Sequence, residues 1–262
     1  MSRFENKIAV VTGAASGIGY ATSIRLAKEG ADIVALDMSS EGLETLSNDI
    51  ADLGRRCTTI TGNVEELDSI DAAIQSAVDT FGGLDYLVNN AGISGGLKAF
   101  NNFEPDEFDK MIRINLKSAW YGTKAAFDAL KKRGGGAIVN VSSMAGIRPN
   151  RFHSMYGITK AAMISMTQHA AMDYARSNIR VNCLCPGPVE TPIFNQMEAV
   201  LSPQNFQDTR QQLMQRTLMN RFSSPEEQAS SVAYLLCDEA AFITGIALPV
   251  DGGWSVSDGH TK

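Results

Sequence analysis

The sequence predicts an α/β fold: a Rossmann-like, doubly wound, mostly parallel seven-stranded sheet with helices on both faces. Along the 262 residues, short β-branched runs alternate with longer segments of helical period. The runs are almost continuously apolar, as in Ile8-Ala9-Val10-Val11, which is typical of strands buried on both faces. The repeated strand–helix–strand order requires right-handed crossovers, and such crossovers join parallel strands.

The predicted elements follow one another in a regular order. Strands are expected at residues 7–12, 31–37, 57–61, 84–89, 137–142, 179–184 and 246–250. Helices are expected at residues 17–29, 41–53, 67–81, 105–132, 154–177 and 225–237. Residues 192–224 break this order, because they have no strand and are rich in Gln, Met and Asn, which favours a lid or binding loop. We therefore expect one domain over residues 1–262, with a lid at about 192–224.

Composition narrows the possible partners. The chain has 23 basic and 29 acidic residues and a net charge of −6, whereas proteins that bind nucleic acids normally have a basic excess. No apolar run approaches the ~20 residues of a membrane span, and the polar residues 1–7 do not resemble a secretory signal. We expect a cytoplasmic protein with reduced cysteines, no nucleic-acid partner and no membrane partner. Cys183 and Cys185 are interpreted as alternate positions of a strand, and no metal site is predicted.

A glycine-rich loop lies between the first predicted strand and the first predicted helix. Its sequence is Thr12-Gly13-Ala14-Ala15-Ser16-Gly17-Ile18-Gly19. Glycines allow the backbone to turn tightly and approach a phosphate, and the helix N-terminus offers free N–H groups to a pyrophosphate. Glycine-rich turns also exist merely to close strand–helix units, so the loop alone leaves both interpretations open.

Asp37 favours the nucleotide interpretation. It ends the second predicted strand, just over twenty residues after the loop, where a carboxylate accepts hydrogen bonds from both hydroxyls of an adenosine ribose. A 2′-phosphate at that place would be repelled by about 4 kcal/mol at a separation of ~4 Å and an effective dielectric near 20. No Arg or Lys in the glycine loop or directly after Asp37 compensates, so the predicted cofactor is NAD.

Tyr156 and Lys160 lie four residues apart and therefore share one face of a predicted helix. A tyrosine that works as an acid/base near neutral pH needs its pKa lowered by about three units from ~10. A neighbouring ammonium and a positive nicotinamide ring are both able to stabilise the phenolate. Because the same pair is common on surface helices, it is weak evidence for a catalytic site by itself. The other motifs of the chain decide how it is interpreted.

With those residues, the chain resembles the compact, single-domain short-chain dehydrogenases/reductases over practically its whole length. The matching motifs are the loop Thr12–Gly19, Asn89-Asn90-Ala91-Gly92, Asn115, Ser142-Ser143, Tyr156 with Lys160, Pro186-Gly187 and Asp251-Gly252-Gly253. The resemblance implies an NAD-dependent oxidoreductase that interconverts a secondary alcohol and a ketone by hydride transfer. It also implies a homotetramer. Met163, Met166 and Met172, on the helix of Tyr156, are interpreted as core or subunit interface.

The resemblance implies a catalytic tetrad. Tyr156 would exchange the proton with the substrate oxygen, and Lys160 would bond the nicotinamide ribose and lower the pKa of the tyrosine. Ser143 would hold and polarise the substrate oxygen, with Ser142 as the rival for that role. Asn115 would keep a helix kinked and hold a water on a proton path from Lys160.

The resemblance also implies the cofactor contacts. They are Gly13, Ser16, Gly17, Ile18 and Gly19 in the loop, Asp37 at the ribose, Asn63 and Val64 near the adenine, Asn90, Ala91 and Gly92 along the adenosine, Tyr156 and Lys160, and Pro186, Gly187, Val189 and Thr191 at the nicotinamide. Asn63 departs from the family pattern, which usually has an acid there. Because an amide oxygen still accepts from the adenine amino group, we expect a small weakening.

Substrate specificity is expected from residues 93–97, 144–155 and 192–224. Ser143, His153 and Tyr156 are the expected substrate contacts. His153, Arg148 and Arg151 suggest an anionic or polyhydroxylated substrate, although they would equally be solvated or make subunit contacts. An apolar ring enclosed by lid residues is the other possibility; these are Ile193, Phe194, Met197, Leu201 and Phe206.

Three alternative functions are considered. A 3-oxoacyl-carrier-protein reductase would share the fold and the tetrad, but it would usually need NADPH and a basic docking surface. An enoyl reductase would space its Tyr and Lys more widely. A non-catalytic nucleotide-binding protein would keep the fold, but it would have no need of Asn115, Ser143, Tyr156 and Lys160 together.

Overall fold

A computed structural model describes residues 2–195 and 202–257. The strands are β1 Ile8–Thr12, β2 Asp32–Asp37, β3 Cys57–Thr61, β4 Tyr86–Asn89, β5 Gly136–Val141, β6 Ile179–Pro186 and β7 Ala247–Val250. The helices are α1 Gly17–Lys28, α2 Ser40–Asp52, α3 Leu67–Phe81, α4 Pro105–Met111, α5 Ser118–Ala125, α6 Phe127–Lys132, α7 Ser154–Tyr174, α8 Pro192–Asn195, α9 Pro203–Arg216 and α10 Pro225–Leu236.

The sheet confirms the predicted doubly wound fold. Its seven strands are ordered β3-β2-β1-β4-β5-β6-β7, and every neighbouring pair is parallel. The order reverses at β1, which has β2 on one side and β4 on the other. In open sheets of this type, ligands bind beyond the carboxyl ends of the strands at that reversal.

Two apolar layers cover the sheet, and neighbouring residues of one strand belong to different layers. Val10 packs in one cluster with Leu87 and Ile70, whereas Val11 packs in the other with Leu43. This alternation follows from the period of two along a β-strand. It explains why the buried strands are continuous apolar runs rather than polar–apolar alternations.

The helix predicted at residues 105–132 is wrong as a single element. The structure divides it into α4, a π-helical segment Ile112–Lys117, α5 and α6. Within residues 192–195 and 202–224, the described part of the predicted lid, there is no strand, and the helices α8 and α9 lie there. Of the methionines predicted at core or interface positions on α7, Met163 is buried and Met172 is exposed.

Candidate active site

A cavity of about 1190 Å³ opens at the carboxyl end of the sheet. It extends from the glycine loop and Asp37 to Ser143, Tyr156 and the lid residues 192–194. The cavity thus brings both halves of the predicted site into one space, at the end of the sheet where β1 reverses the strand order.

The segment that follows β4 holds the glycine loop in place through hydrogen bonds. The side-chain nitrogen Nδ2 of Asn90 donates to the backbone carbonyls of Thr12 and Gly13, both at 3.0 Å. A Cβ on Gly19 would lie 2.0 Å from the Gly13 carbonyl oxygen, so only glycine allows helix α1 to start this close to the loop. No side chain caps the first turn of α1, and Gly13, Ser16, Gly17 and Ile18 line the cavity there. The Asn90 amide therefore shapes the loop, whereas its predicted role was a contact along the adenosine.

Asp37 lies at the rim of the cavity, where β2 ends. One carboxylate oxygen accepts from the Ala15 amide at 3.0 Å, and the other accepts from the Ser39 amide at 3.0 Å. These two bonds fix the carboxylate between the glycine loop and the start of α2. Each oxygen keeps further acceptor capacity, because a carboxylate offers about four lone-pair positions.

Asn63 and Val64 line the cavity on the far side of Asp37. The Asn63 side-chain oxygen accepts from the Glu65 amide at 3.0 Å. One lone pair of that oxygen is thus used within the chain, and one remains for a ligand.

Ser143, Tyr156 and Lys160 converge beyond the glycine loop. The Ser143 hydroxyl lies near enough to the Tyr156 phenol to lower the pKa of that phenol. The Lys160 ammonium lies 5.6 Å from the centroid of the tyrosine ring and donates to the Val141 carbonyl at 2.8 Å. The three side chains predicted to work together therefore lie together.

The electrostatics of this group differ from the sequence-based expectation. Burial raises the pKa of Tyr156, and the nearby Ser143 hydroxyl opposes that rise. Burial also lowers the pKa of Lys160 to about 8. The expected lowering of the Tyr156 pKa by Lys160 is not found in the protein by itself, since loss of hydration dominates and the opposing influence comes from Ser143.

Asn115 lies in the π-helical segment, which supplies the expected irregularity in the helix. Its side-chain oxygen accepts from the Ile93 amide and its nitrogen donates to the Ile93 carbonyl, both at 2.8 Å. A Cβ on Gly92 would lie 3.2 Å from the Asn115 oxygen and 3.5 Å from the Lys160 nitrogen. Asn115 thus ties the segment after β4 to the helix, directly beside the lysine.

Ser142 and Ser143 have different partners although they are neighbours. The Ser142 hydroxyl donates to the Lys160 carbonyl at 2.7 Å, which ties β5 to helix α7. The Ser143 hydroxyl accepts from the Ala145 amide at 3.1 Å and faces Tyr156. Of the two serines, Ser143 is therefore the one beside the phenol, whereas the Ser142 hydroxyl is occupied by a backbone carbonyl.

The segment after β6, residues 187–191, packs against the glycine loop. Gly187 packs on Asp251 so closely that a Cβ would lie 2.8 Å from the Asp251 Cα. Ser223 brackets the segment, because its amide donates to the Pro188 carbonyl and its carbonyl accepts from the Glu190 amide, both at 3.0 Å. A Cβ on Gly17 would lie 3.2 Å from a side-chain carbon of Thr191. Pro186, Gly187, Val189 and Thr191 all line the cavity, as predicted for the nicotinamide end.

His153 stacks on Tyr156. The ring centroids are 4.5 Å apart and the planes differ by 11°. Its Nε2 lies 3.2 Å from the Ser94 carbonyl oxygen, and burial lowers the pKa of the imidazole. His153 is thus a neutral imidazole stacked on the Tyr156 ring. The sequence had suggested a positively charged histidine at the cavity mouth.

Arg148 is hydrogen-bonded to the turn Trp254–Val256 and the residue that follows it. Its guanidinium donates to the carbonyls of Trp254 at 2.7 Å and Ser257 at 3.2 Å. Arg151 lies over the ring of Phe152, with its guanidinium carbon 5.2 Å from the centroid. Both arginines line the cavity, and so does Arg216 of the lid, which the sequence analysis missed.

Of the apolar residues expected to enclose a ligand, Ile193 and Phe194 line the cavity, and so does Leu213, which was not among them. Phe194 and Phe206 are buried against Phe222, and Phe206 contacts that cluster rather than the cavity. Ile193 lines the cavity, whereas Met197 and Leu201 lie outside the described residues.

Cys183 and Cys185 occupy alternate positions of β6 and are buried, as predicted. Within residues 2–195 and 202–257, no group of three or more His, Cys, Asp or Glu is placed to hold a metal ion. Among the helices of the same residues, none has the length and apolar character to cross a membrane.

Comparison with known proteins gives matches over almost the entire chain. A family model described as enoyl-(acyl carrier protein) reductase matches residues 13–255. Levodione reductase of Leifsonia aquatica is 32% identical over 258 residues, which are 98% of this chain and 97% of that protein. The 3-oxoacyl-[acyl-carrier-protein] reductase FabG of Thermotoga maritima is 36% identical over 251 residues, with coverages of 96% and 98%. Cyclohexanol dehydrogenase of an Acinetobacter species is 34% identical over 254 residues, with 97% of each chain covered.

Solved structures agree with these matches. Levodione reductase superposes with a TM-score of 0.92 at 32% identity, covering 97% of this chain and all of that one. An NAD+-bound xylitol dehydrogenase gives 0.90 at 34% identity, with coverages of 95% and 99%. The L-sorbose reductase of Gluconobacter frateurii, complexed with NADPH and L-sorbose, gives 0.91 at 29% identity, with coverages of 98% and 100%. Similar structures therefore hold either nicotinamide cofactor.

Proposed function

The chain belongs to the short-chain dehydrogenase/reductase family, and we propose that it uses NAD to interconvert a secondary alcohol and a ketone by hydride transfer. One observation carries the proposal: Ser143, Tyr156 and Lys160 converge in the same cavity as the glycine loop and Asp37. The alcohol–ketone class is supported by relatives whose names give their substrates as levodione and cyclohexanol.

The residues present fit a dinucleotide. Glycine at position 13 lets the loop pack tightly on the segment after β4, because a Cβ there would lie 2.9 Å from both the Asn90 side-chain nitrogen and the Ala91 Cα. The uncapped first turn of α1 supplies N–H donors and the positive end of a helix dipole. Asp37 would hold the ribose hydroxyls, and the segment from Pro186 to Thr191 would hold the nicotinamide.

Asp37 supports NAD over NADP. Its carboxylate is held at the rim by two backbone amides, so it is not free to swing away from a 2′-phosphate. The residues that follow it, Met38 and Ser39, carry no positive charge. Repulsion of about 4 kcal/mol at ~4 Å and an effective dielectric near 20 corresponds to roughly three orders of magnitude in affinity.

In the proposed mechanism, the protein holds the substrate oxygen and moves its proton. The bound NAD supplies the chemistry of hydride transfer. Ser143 donates a hydrogen bond to the substrate oxygen, and the Tyr156 phenolate takes the proton of the alcohol. Lys160 stabilises that phenolate electrostatically, against the burial that raises the tyrosine pKa. Asn115 holds the Ile93 segment against the lysine, so that the three groups keep their relative positions.

A test compares both cofactors over one panel of alcohols. Purified protein is incubated with NAD or NADP and secondary alcohols, polyols, hydroxy acids and cyclic alcohols, and formation of the reduced nicotinamide is followed by absorbance. We expect turnover of at least one secondary alcohol with NAD, and much less with NADP. No turnover by either cofactor, or a preference for NADP, would refute the proposal.

The two neighbouring serines offer a matched pair of variants. Ser143→Ala removes the proposed contact to the substrate oxygen, and we expect kcat to fall by about a hundredfold or more. Ser142→Ala removes a hydroxyl that bonds the Lys160 carbonyl, so its main effect is expected on stability. A larger loss of kcat in Ser142→Ala would exchange the assigned roles.

A 3-oxoacyl-carrier-protein reductase is the second candidate, and the relative from Thermotoga maritima favours it. Asp37 and the net charge of −6 oppose it, since an acidic carrier would be repelled and NADPH disfavoured. Assaying a 3-oxoacyl thioester with NADPH and NADH discriminates between the candidates. Efficient reduction with NADPH would establish this second function in place of the first.

A further inference from the structure

Three arginines line the end of the cavity beyond Tyr156: Arg148, Arg151 and Arg216. Within residues 2–195 and 202–257, no carboxylate pairs with any of the three. Elsewhere in this part of the chain, carboxylates pair with most arginines; these are Arg3, Arg25, Arg55, Arg56, Arg113, Arg133, Arg210 and Arg221. Among the carboxylates that the structure describes, none therefore compensates the positive charge at this end of the cavity, although the protein as a whole is acidic.

The three arginines differ in what holds them. Arg148 is occupied by backbone carbonyls of the C-terminal turn. Arg216 donates from one terminal nitrogen to the Asn150 side-chain oxygen at 2.9 Å, and its guanidinium carbon lies 5.5 Å from the Trp254 ring centroid. Both of these partners are neutral, and one hydrogen bond uses one of the five N–H donors of a guanidinium. Arg216 is thus oriented by its surroundings while most of its donors remain for a ligand.

Arg216 is connected to the reacting group through a short series of contacts. Its partner Asn150 accepts at its backbone carbonyl from the His153 amide at 3.4 Å, and His153 stacks on Tyr156. The two carboxylates among the described lining residues, Asp37 and Glu65, belong to the nucleotide end of the cavity. A ligand that reaches from Tyr156 toward Arg216 therefore meets positive charge, with no acid nearby among the residues that the structure describes.

We propose that the substrate carries a carboxylate or sulfonate, set apart from its carbinol carbon and received by Arg216, with Arg151 adding charge at the mouth. This inference rests on the proposed function, because the carbinol is placed at Tyr156. A planar guanidinium binds two oxygens of such an anion side by side, which gives orientation as well as affinity. The anion would then fix which face of the carbinol carbon is presented.

The experiment uses aromatic alcohols that differ at one position. 4-(1-Hydroxyethyl)benzoate and the corresponding sulfonate are compared with 4-(1-hydroxyethyl)benzamide, which is similar in size but neutral. Wild-type protein is expected to show a kcat/KM about ten- to one-hundredfold higher for an anion than for the amide. The carboxylate and sulfonate arms show which anion the site prefers.

Arg216→Met is expected to abolish most of that preference, and Arg210→Met is the matched control. Arg210 lies on the same helix but pairs with Glu190, so its variant should keep the preference of the wild type. Arg216→Lys, which retains the charge without the planar fork, should keep part of it and serves as a second variant if Arg216→Met does not fold. A wild type that prefers the amide, or equal preferences in the Arg216 and Arg210 variants, would overturn the proposal.

Failure of this inference is distinguishable from failure of the proposed function. If the amide is oxidised as well as the anions, the enzyme activity stands and the anion proposal falls. If no alcohol is oxidised, binding of benzoate and benzenesulfonate in the presence of NADH is measured by calorimetry. Tighter binding to wild type than to Arg216→Met would support the anion site, and equal binding would overturn it.

Discussion

Lys160 is required by the proposed chemistry, yet its buried charge destabilises the folded protein. Burial lowers its pKa from 10.5 to about 8, and one pKa unit corresponds to 1.36 kcal/mol. The unfolded chain binds this proton more tightly than the folded protein does. The energetic cost is therefore complete below pH 8, where it amounts to about 3 kcal/mol, and it is relieved as the pH rises from 8 toward 10.5.

Lys160→Met removes this titration. The variant also loses the hydrogen bond to the Val141 carbonyl, which costs roughly 1 to 3 kcal/mol at every pH. Because that loss is the same at every pH, it does not affect how the difference in unfolding free energy between the two proteins changes with pH. Between pH 7 and 9.5, we expect the free energy of unfolding of the wild type to rise by about 2 kcal/mol relative to the variant.

Urea unfolding followed by tryptophan fluorescence measures this difference at pH 7, 8 and 9.5. Lys28→Met serves as the control, because Lys28 is exposed on helix α1. If the difference between wild type and Lys160→Met is the same at all three pH values, the buried ammonium is not the destabilising group and the reasoning fails.

Three further predictions concern neighbouring residues. Asp37→Ser should raise the KM for NAD and shift the NAD-to-NADP ratio of kcat/KM toward NADP by about a hundredfold, and an unchanged ratio would contradict the role of Asp37. Asn115→Ala should lower the free energy of unfolding by about 1 to 3 kcal/mol, since two backbone groups of Ile93 lose their partners, and urea melts would show it. His153→Ala should lower kcat more than His153→Phe does, with the KM for NAD unaffected; equal losses would remove ring stacking as the reason.

Periodicity predicted most of the fold because burial on two faces leaves a strong pattern in the strands. Strand β3 and helix α3 have the predicted bounds, and the other strands differ by one or two residues at an end. The π-helical segment Ile112–Lys117 was beyond such reasoning, since it depends on a tertiary bond between Asn115 and Ile93. Helix α9 has few apolar residues, but Ser202 followed by Pro203 is a start signal that could have predicted it.

The candidate site also contains features that sequence patterns predict and features that depend on tertiary contacts. Residues in fixed sequence motifs, such as Asp37 and Tyr156, line one cavity, and their predicted roles there stay predictions. Partnerships between distant segments could not be predicted: Arg148 serves the turn at Trp254, and Arg216 bonds Asn150, across 106 and 66 residues of sequence. The basic group suggested by the sequence thus loses His153 and Arg148 to other contacts, while Arg151 and the unpredicted Arg216 line the cavity.

Single-turnover hydride transfer in Tyr156→Phe tests the proposed chemistry most directly. The variant keeps the ring that stacks on His153 and loses only the phenolic oxygen. With saturating NAD and an alcohol that the wild type oxidises, we expect NADH to form about a hundred- to ten-thousandfold more slowly, while NADH binds with an almost unchanged Kd. A rate within tenfold of wild type would contradict the assignment of Tyr156 as the group that takes the proton.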